Sequence, residues 1–429
     1  MLRHRKGPAR LFEDAVASSG LPGRVLLKLL AWLPRLHGGP KIGPCVSLIV
    51  QGFMLQAARL QRGNRGGSMS RLHRVPLVLF CLSFLPLAAF SQQQAPSAEQ
   101  LPAASVPIPE ARDANLTLDV VVTDRSGKPR TGLTQSDFVV RDNNQIRKIL
   151  SFRAVDSTAP AEPVKIILLV DEVNTSFTRV AYERDELKKF LLQNGGQLVH
   201  PVTLAFFSDT GTELQSGSSR DGNALLAEFD QHVTKLRTIR RSAGFYGATE
   251  RFDLSLKAIS LLAATEAKEP GRKMVIWISP GWPILSGPNI TLSAKQEQGL
   301  FSSIVYLSTM LRQARITLYS IDPLGVADAA TTRVFYYEEF LKPISKPQDA
   351  QAGNLALQVL ARQSGGQALN SSNDITEQIT RCVQEADAFY TLTVEPMPSD
   401  RPNQSHVVAV SVEAPGLTAR TRNLYYGQP

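Results

Sequence analysis

The chain has 429 residues, 43% hydrophobic and 20% charged: enough apolar side chains for a sizeable core and too few charges for a disordered polyelectrolyte. Its formal charge is +9, yet residues 1–74 hold 13 of the 47 Lys and Arg and only 2 of the 38 Asp and Glu. The remainder, 34 basic against 36 acidic side chains, is near neutral, so net charge gives no support to a nucleic-acid-binding body, which needs a basic face on the fold itself, and no nucleic-acid partner is expected.

In chain order, residues 1–68 are rich in Arg, Gly and Pro without sustained periodicity. They read as a mis-set translation start ahead of Met69, or as a disordered basic extension. Residues 69–91 have the order of a secretory signal peptide: basic Arg71 to Arg74, apolar Pro76 to Phe90, then small residues around Ala89 and Ser91. The apolar run is 15 residues with two prolines, short of the roughly 20 a transmembrane helix needs, so a membrane anchor is the weaker reading. The expectation is an exported protein, secreted or periplasmic, that meets a membrane only through this signal. Export agrees with the cysteines. Cys45 and Cys81 lie ahead of the mature chain, and Cys382 sits on the apolar stripe of Ile375, Ile379, Val383 and Ala386 as a core residue.

Residues 92–114 are a Pro/Ala/Ser/Gln-rich linker. Residues 115–160 read as a small β-segment: a strand from Leu116 to Thr123, a turn at Asp124–Pro129, a strand at Phe138, a hairpin signal at Asn143-Asn144, and a returning strand from Ile146 to Phe152. Over 163–387 aliphatic runs alternate with helical spacings. Val164–Val170, Thr203–Ser208, Lys273–Ser279, Ile316–Ile321 and Gly366–Leu369 are strands. Helices fall around Val180–Leu192, Leu225–Leu236, Phe252–Ala263, Leu300–Leu311, Leu355–Ala361 and Ile375–Ala386. Such alternation predicts an α/β fold, a doubly wound and mostly parallel sheet. Residues 388–429 return to strands, and the economical expectation is that the two flanking β-segments pair into a small β-sandwich.

Ligands of open parallel sheets bind at the carboxyl ends of the strands. The residues gathered there are Asp171-Glu-Val-Asn-Thr-Ser176, Ala243-Gly-Phe-Tyr-Gly-Ala-Thr249, Ser279-Pro-Gly-Trp-Pro283 and Asp322-Pro-Leu-Gly325. Phe245, Tyr246 and Trp282 are candidate partner anchors on these loops; packing against neighbouring loops is the bland alternative. No His-Glu-x-x-His, Gly-x-Ser-x-Gly, Gly-x-x-x-x-Gly-Lys or Gly-x-Gly-x-x-Gly motif is present.

Asp171 after an aliphatic strand, hydroxyls soon after, and a Gly-x-Thr loop before a helix resemble a von Willebrand factor A domain. With Val121–Pro129, Gly132–Phe138, Leu169–Thr175, Trp277–Gly281 and Tyr319–Asp322, the stretch from Leu116 to Gly427 resembles the acidobacterial VWFA-related family of exported proteins. The resemblance implies a Rossmann-like fold and a metal-ion-dependent adhesion site. Carried over residue by residue, Asp171, Thr175 and Thr249 would be metal ligands. The other two ligand positions fall on Val173 and Pro280, which cannot ligate, so the site reads as degenerate and no cofactor is expected, Mg²⁺ being the possible one. Asn174 and Asp322 are partial substitutes, although the family geometry turns Asn174 away from Asp171. The bland reading is that Asp171, Asn174 and Thr175 bond the loop and cap the next helix. The expected function is a non-enzymatic, adhesion-type module at the cell envelope that binds an unknown protein partner through Asn174, Phe245, Tyr246, Trp282 and Asp322. Two alternatives stand: a working Mg²⁺-dependent adhesion domain, and a hydrolase of Rossmann-like fold using Asp171.

Overall fold

A computed structural model describes residues 115–156, 164–175, 177–233, 244–285, 291–323 and 336–429. The expected basic extension, signal peptide and linker (1–114) lie outside the described residues. Among the described residues no helix is long and apolar enough to cross a membrane.

The central unit is a mixed, mostly parallel sheet. Its strands are β5 (Lys165–Asp171), β6 (Gln197–Ser208), β7 (Gly211–Leu214), β8 (Ser219–Asp221), β9 (Lys273–Ile278), β10 (Ile316–Ile321) and β11 (Ala368–Leu369). The order is β11-β10-β9-β5-β6-β7, with β8 also on β6. Only the β7 and β8 pairings are antiparallel. This hairpin edge was not readable from the sequence because its strands are only four and three residues long and mostly polar.

Strand alternation sorts the two faces. Ile167 and Leu169 of β5 point to one core with α3 (Gly244–Glu266), α4 (Ala294–Gln313) and α5 (Leu357–Gln363). Ile166, Leu168 and Val170 point to the other with α1 (Phe177–Leu191), α2 (Gly222–Val233) and α6 (Ile375–Gln384). A strand buried on both faces must be apolar at every position, which is why these segments read as unbroken aliphatic runs. Cys382 is a free, buried thiol in the second core, and burial pushes its pKa up.

The flanking strands form two four-stranded antiparallel sheets. One is built from β1 (Leu116–Thr123), β4 (Ile149–Val155), β12 (Phe389–Val394) and β14 (Thr418–Arg420), in the order β14-β1-β12-β4. The other is built from β2 (Phe138–Asp142), β3 (Gln145–Arg147), β13 (Gln404–Val412) and β15 (Leu424–Gly427), in the order β15-β13-β2-β3. Leu118 and Val120 of β1, Leu392 of β12, Val140 of β2 and Val408 of β13 share one apolar core, so the sheets face each other. Asn143 and Asn144 both take positive φ (47° and 67°), the mark of a type I′ hairpin turn. The single strand expected over Ile146–Phe152 is instead two, β3 and β4, which join opposite sheets through Lys148.

Strand β4 ends beside the start of β12, with Val155 opposite Phe389. The whole α/β unit is therefore inserted between two neighbouring strands. Its seam carries a buried network. Glu385 accepts from Arg420, from Gln367 (2.8 Å) and from the Tyr319 hydroxyl. Arg272 donates to the Tyr319 hydroxyl (3.2 Å) and the Glu385 carbonyl (3.0 Å), and lies 4.6 Å above the Phe389 ring.

Candidate functional site

Asp171 ends β5 at the carboxyl edge of the sheet and is fully buried. Its Oδ1 accepts the backbone N–H of Val173 (2.9 Å) and of Asn174 (2.8 Å). Its Oδ2 accepts the Asn174 amide Nδ2 (2.8 Å) and the Trp277 indole Nε1 (2.9 Å). The Ser279 hydroxyl is also hydrogen-bonded to this carboxyl. Burial pushes the Asp171 pKa up, and hydrogen bonds from Asn174, Trp277 and Ser279 pull against that rise. Neighbouring strands β5 and β9 bring these groups together, with Leu169 of β5 opposite Trp277 of β9. A buried indole N–H needs an acceptor, and Asp171 supplies it. The Ser279 hydroxyl in turn accepts the N–H of Gly281 (3.1 Å), whose φ of 95° turns the loop after β9.

The other expected residues fall as follows. Asn174 faces Asp171 rather than away from it, and its Nδ2 also donates to Ser255 Oγ of α3 (3.0 Å). Both Nδ2 hydrogens are thereby spent within the protein, while Oδ1 is buried without a hydrogen-bond partner. Thr175 is buried, and its hydroxyl has no hydrogen-bond partner. Thr249, expected on an open loop, lies inside α3, which already begins at Gly244. Val173 is a core residue at 2% exposure. Trp282, expected as a surface anchor, is 3% exposed and packs edge-on against Trp277, with ring centroids 5.1 Å apart; it offers no surface to a partner. Asp322 is also buried, and its backbone N–H donates to the Leu369 carbonyl. Tyr246 is 64% exposed. The side chain of Phe245 lies outside the described residues.

These donors decide what the site holds. A hard divalent cation wants oxygen ligands with free lone pairs. Here both Asp171 oxygens already receive two N–H groups each, whose hydrogens carry positive charge toward the place a cation would approach. Val173 and Pro280 supply no oxygen from a side chain. Among the described residues no group of three or more His, Cys, Asp or Glu could hold a metal ion. In the same loop, Asn174 Oδ1 and Thr175 Oγ1 are buried oxygens without a hydrogen-bond partner. Sequence reasoning missed Trp277 and Ser279 as partners of Asp171, and Ser255 as a partner of Asn174. The available signal was a Trp in an otherwise aliphatic, doubly buried strand.

No family model matches the chain, and no curated protein matches it. Among solved structures it is similar to the pilus adhesin SpaC from Lactobacillus rhamnosus GG in its open conformation, at 12% identity and TM-score 0.35 over 72% of this chain and 49% of that one. The chain thus spans about half the length of SpaC. It is also similar to the PilB minor pilin from Streptococcus sanguinis, at 10% identity and TM-score 0.27 over 53% of this chain and 63% of that one. A third is the SpRpn10 VWA domain, at 13% identity and TM-score 0.23 over 51% of this chain and 93% of that one.

Proposed function

We propose that this chain is an exported, non-enzymatic interaction module of von Willebrand A-like fold, with a β-sandwich at its base and a degenerate adhesion site at its top. One observation carries the reading: the carboxylate that would anchor a cation is instead satisfied by protein N–H groups. The same geometry counts against a hydrolase using Asp171, because a buried carboxylate with four N–H donors presents no free lone pair to a substrate. Binding then falls to exposed side chains around the top loops, of which Tyr246 is the large exposed one described.

A thermal melt of the purified protein in EDTA, then in excess Mg²⁺, Mn²⁺ or Ca²⁺, tests the metal half of the reading. A cation at about 100 times its Kd would add about 2.7 kcal/mol and move the midpoint by several degrees. The expected shift is none. A clear shift abolished in Asp171→Ala would establish the metal-dependent adhesion domain instead. The binding half is tested by immobilising the protein and capturing envelope proteins in EDTA, with Tyr246→Ala as control. A specific captured protein, weakened by that variant, supports the reading; capture only with Mg²⁺ present, or none at all, sinks it.

A further inference from the structure

A second polar constellation lies far from the top loops, at one end of the paired sheets. Asp142, the last residue of β2, is buried at 2% exposure. Its Oδ1 is 3.1 Å from Nδ1 of His406 on β13. Its Oδ2 accepts the Tyr425 hydroxyl (2.5 Å) and the backbone N–H of Met397 (3.0 Å). On the other side of the ring, His406 Nε2 is 3.0 Å from the hydroxyl of Ser399, which sits half-buried on the loop between β12 and β13. Burial alone would raise the Asp142 carboxyl, but hydrogen bonds from His406, Tyr425 and Met397 outweigh it and hold the group below its ordinary value. An ionised Asp142 only accepts, so it fixes the tautomer with hydrogen on Nδ1. Nε2 is then a lone-pair acceptor aimed at the Ser399 hydroxyl, the order of nucleophile, base and orienter that activates a serine.

The surroundings limit what this serine can do. His406 has no exposure, and Tyr425 stacks on its ring at 4.7 Å and 18°. Strand β15 closes the edge so tightly that a Cβ on Gly427 would lie 2.0 Å from Ser399 Oγ and 3.2 Å from His406 Nε2. The ring therefore cannot reach out to protonate a departing group. Three backbone positions around Ser399 offer no free N–H. Asp400 N donates to Gln404 (2.8 Å), Met397 N donates to Asp142, and Pro398 has no N–H.

We propose that Ser399 is an activated nucleophile that takes an acyl group from activated esters or thioesters and keeps it. Ser399 Oγ bonds to the acyl carbon, and the bond from that carbon to the leaving oxygen or sulfur breaks. The serine proton moves to His406 Nε2, and the imidazolium so formed is held against the Asp142 carboxylate. The leaving group departs as a phenolate or thiolate, which needs no acid. His406 lies buried behind the new ester and cannot activate a water on it, so the adduct persists. This modification site is independent of the binding reading above and stands or falls separately.

The test uses the whole protein with 4-nitrophenyl acetate, following nitrophenolate release, intact mass and the labelled peptide. The expected result is a burst of no more than one equivalent and a single acetyl group on Ser399. Ser399→Ala removes a half-buried hydroxyl, keeps the melting midpoint and loses the adduct; Ser399→Cys restores it. Asp142→Asn, where it folds, slows labelling about a hundredfold. Equal labelling in Ser399→Ala, acetylation of lysines only, or labelling of Ser399 no faster than in unfolded protein would overturn the proposal.

Discussion

Asp171 and Asp253 are both carboxyls that burial pushes upward in pKa, and their partners differ. Asp171 receives N–H donors on both oxygens. Asp253, in α3, has a buried Oδ1 with no hydrogen-bond partner and only the distant attraction of Lys257 to offset its burial, which raises its pKa to about 6. Because the folded value lies above the unfolded one, this group's stabilisation is fully present below about pH 4 and is lost as pH rises through about 6. Asp253→Asn should therefore stabilise the protein at pH 7.5 by about 1 kcal/mol, a figure discounted for solvent screening, and leave it unchanged at pH 4. Urea unfolding at the two pH values checks this; an equal effect at both would show that Asp253 does not titrate on folding.

Among the elements, what the sequence made legible follows from burial. Strands β5, β9 and β10 lie in the middle of the sheet with helices on both faces, so every position is apolar and the segments announce themselves. Helix α4 was legible from Leu300, Ile304, Leu307 and Leu311, all buried. Its start was less so: Ser293 and Gln296 form a capping box, with Ser293 Oγ accepting from Gln296 N. Ser293→Ala should cost about 1 kcal/mol, read as a lowered urea midpoint with unchanged slope; no change would mean that Gln296 alone closes the helix end. The top loops were legible in composition but not in direction. Asp171 and Thr175 were found as residues at a strand end, while the burial of Trp282 and Asp322 and the inward turn of Asn174 depend on β9 and α3, which sequence spacing does not place. The break at Lys148 was hidden for a related reason, since β3 and β4 make one continuous β-like stretch and only their partners differ.

For the molecule as a whole, the seam between the α/β unit and the paired sheets is charged as well as apolar. Val121, Val155 and Phe389 form its apolar part. Glu385 and Arg420 form its ionic part, both largely buried and each with further partners. Removing one member of such a pair leaves the other charge uncompensated, at about 3–5 kcal/mol. Arg420→Met should therefore lower overall stability by that amount and split calorimetric unfolding into two transitions, as the units part before either melts. A single transition at a slightly lower temperature would mean that the apolar contacts alone hold the seam.

The position of the insertion has a mechanical consequence. The α/β unit leaves β4 at Val155 and returns at Phe389, two residues that face each other on neighbouring strands. Tension applied between β1 and β15 runs through the hydrogen-bonded ladders of the two sheets, β1 being held by β12 and β14, and β15 by β13. Both ends of the inserted unit hang from adjacent points on that path, so the pull does not stretch it. Its top loops can keep their shape, and whatever they hold, while the base bears the load.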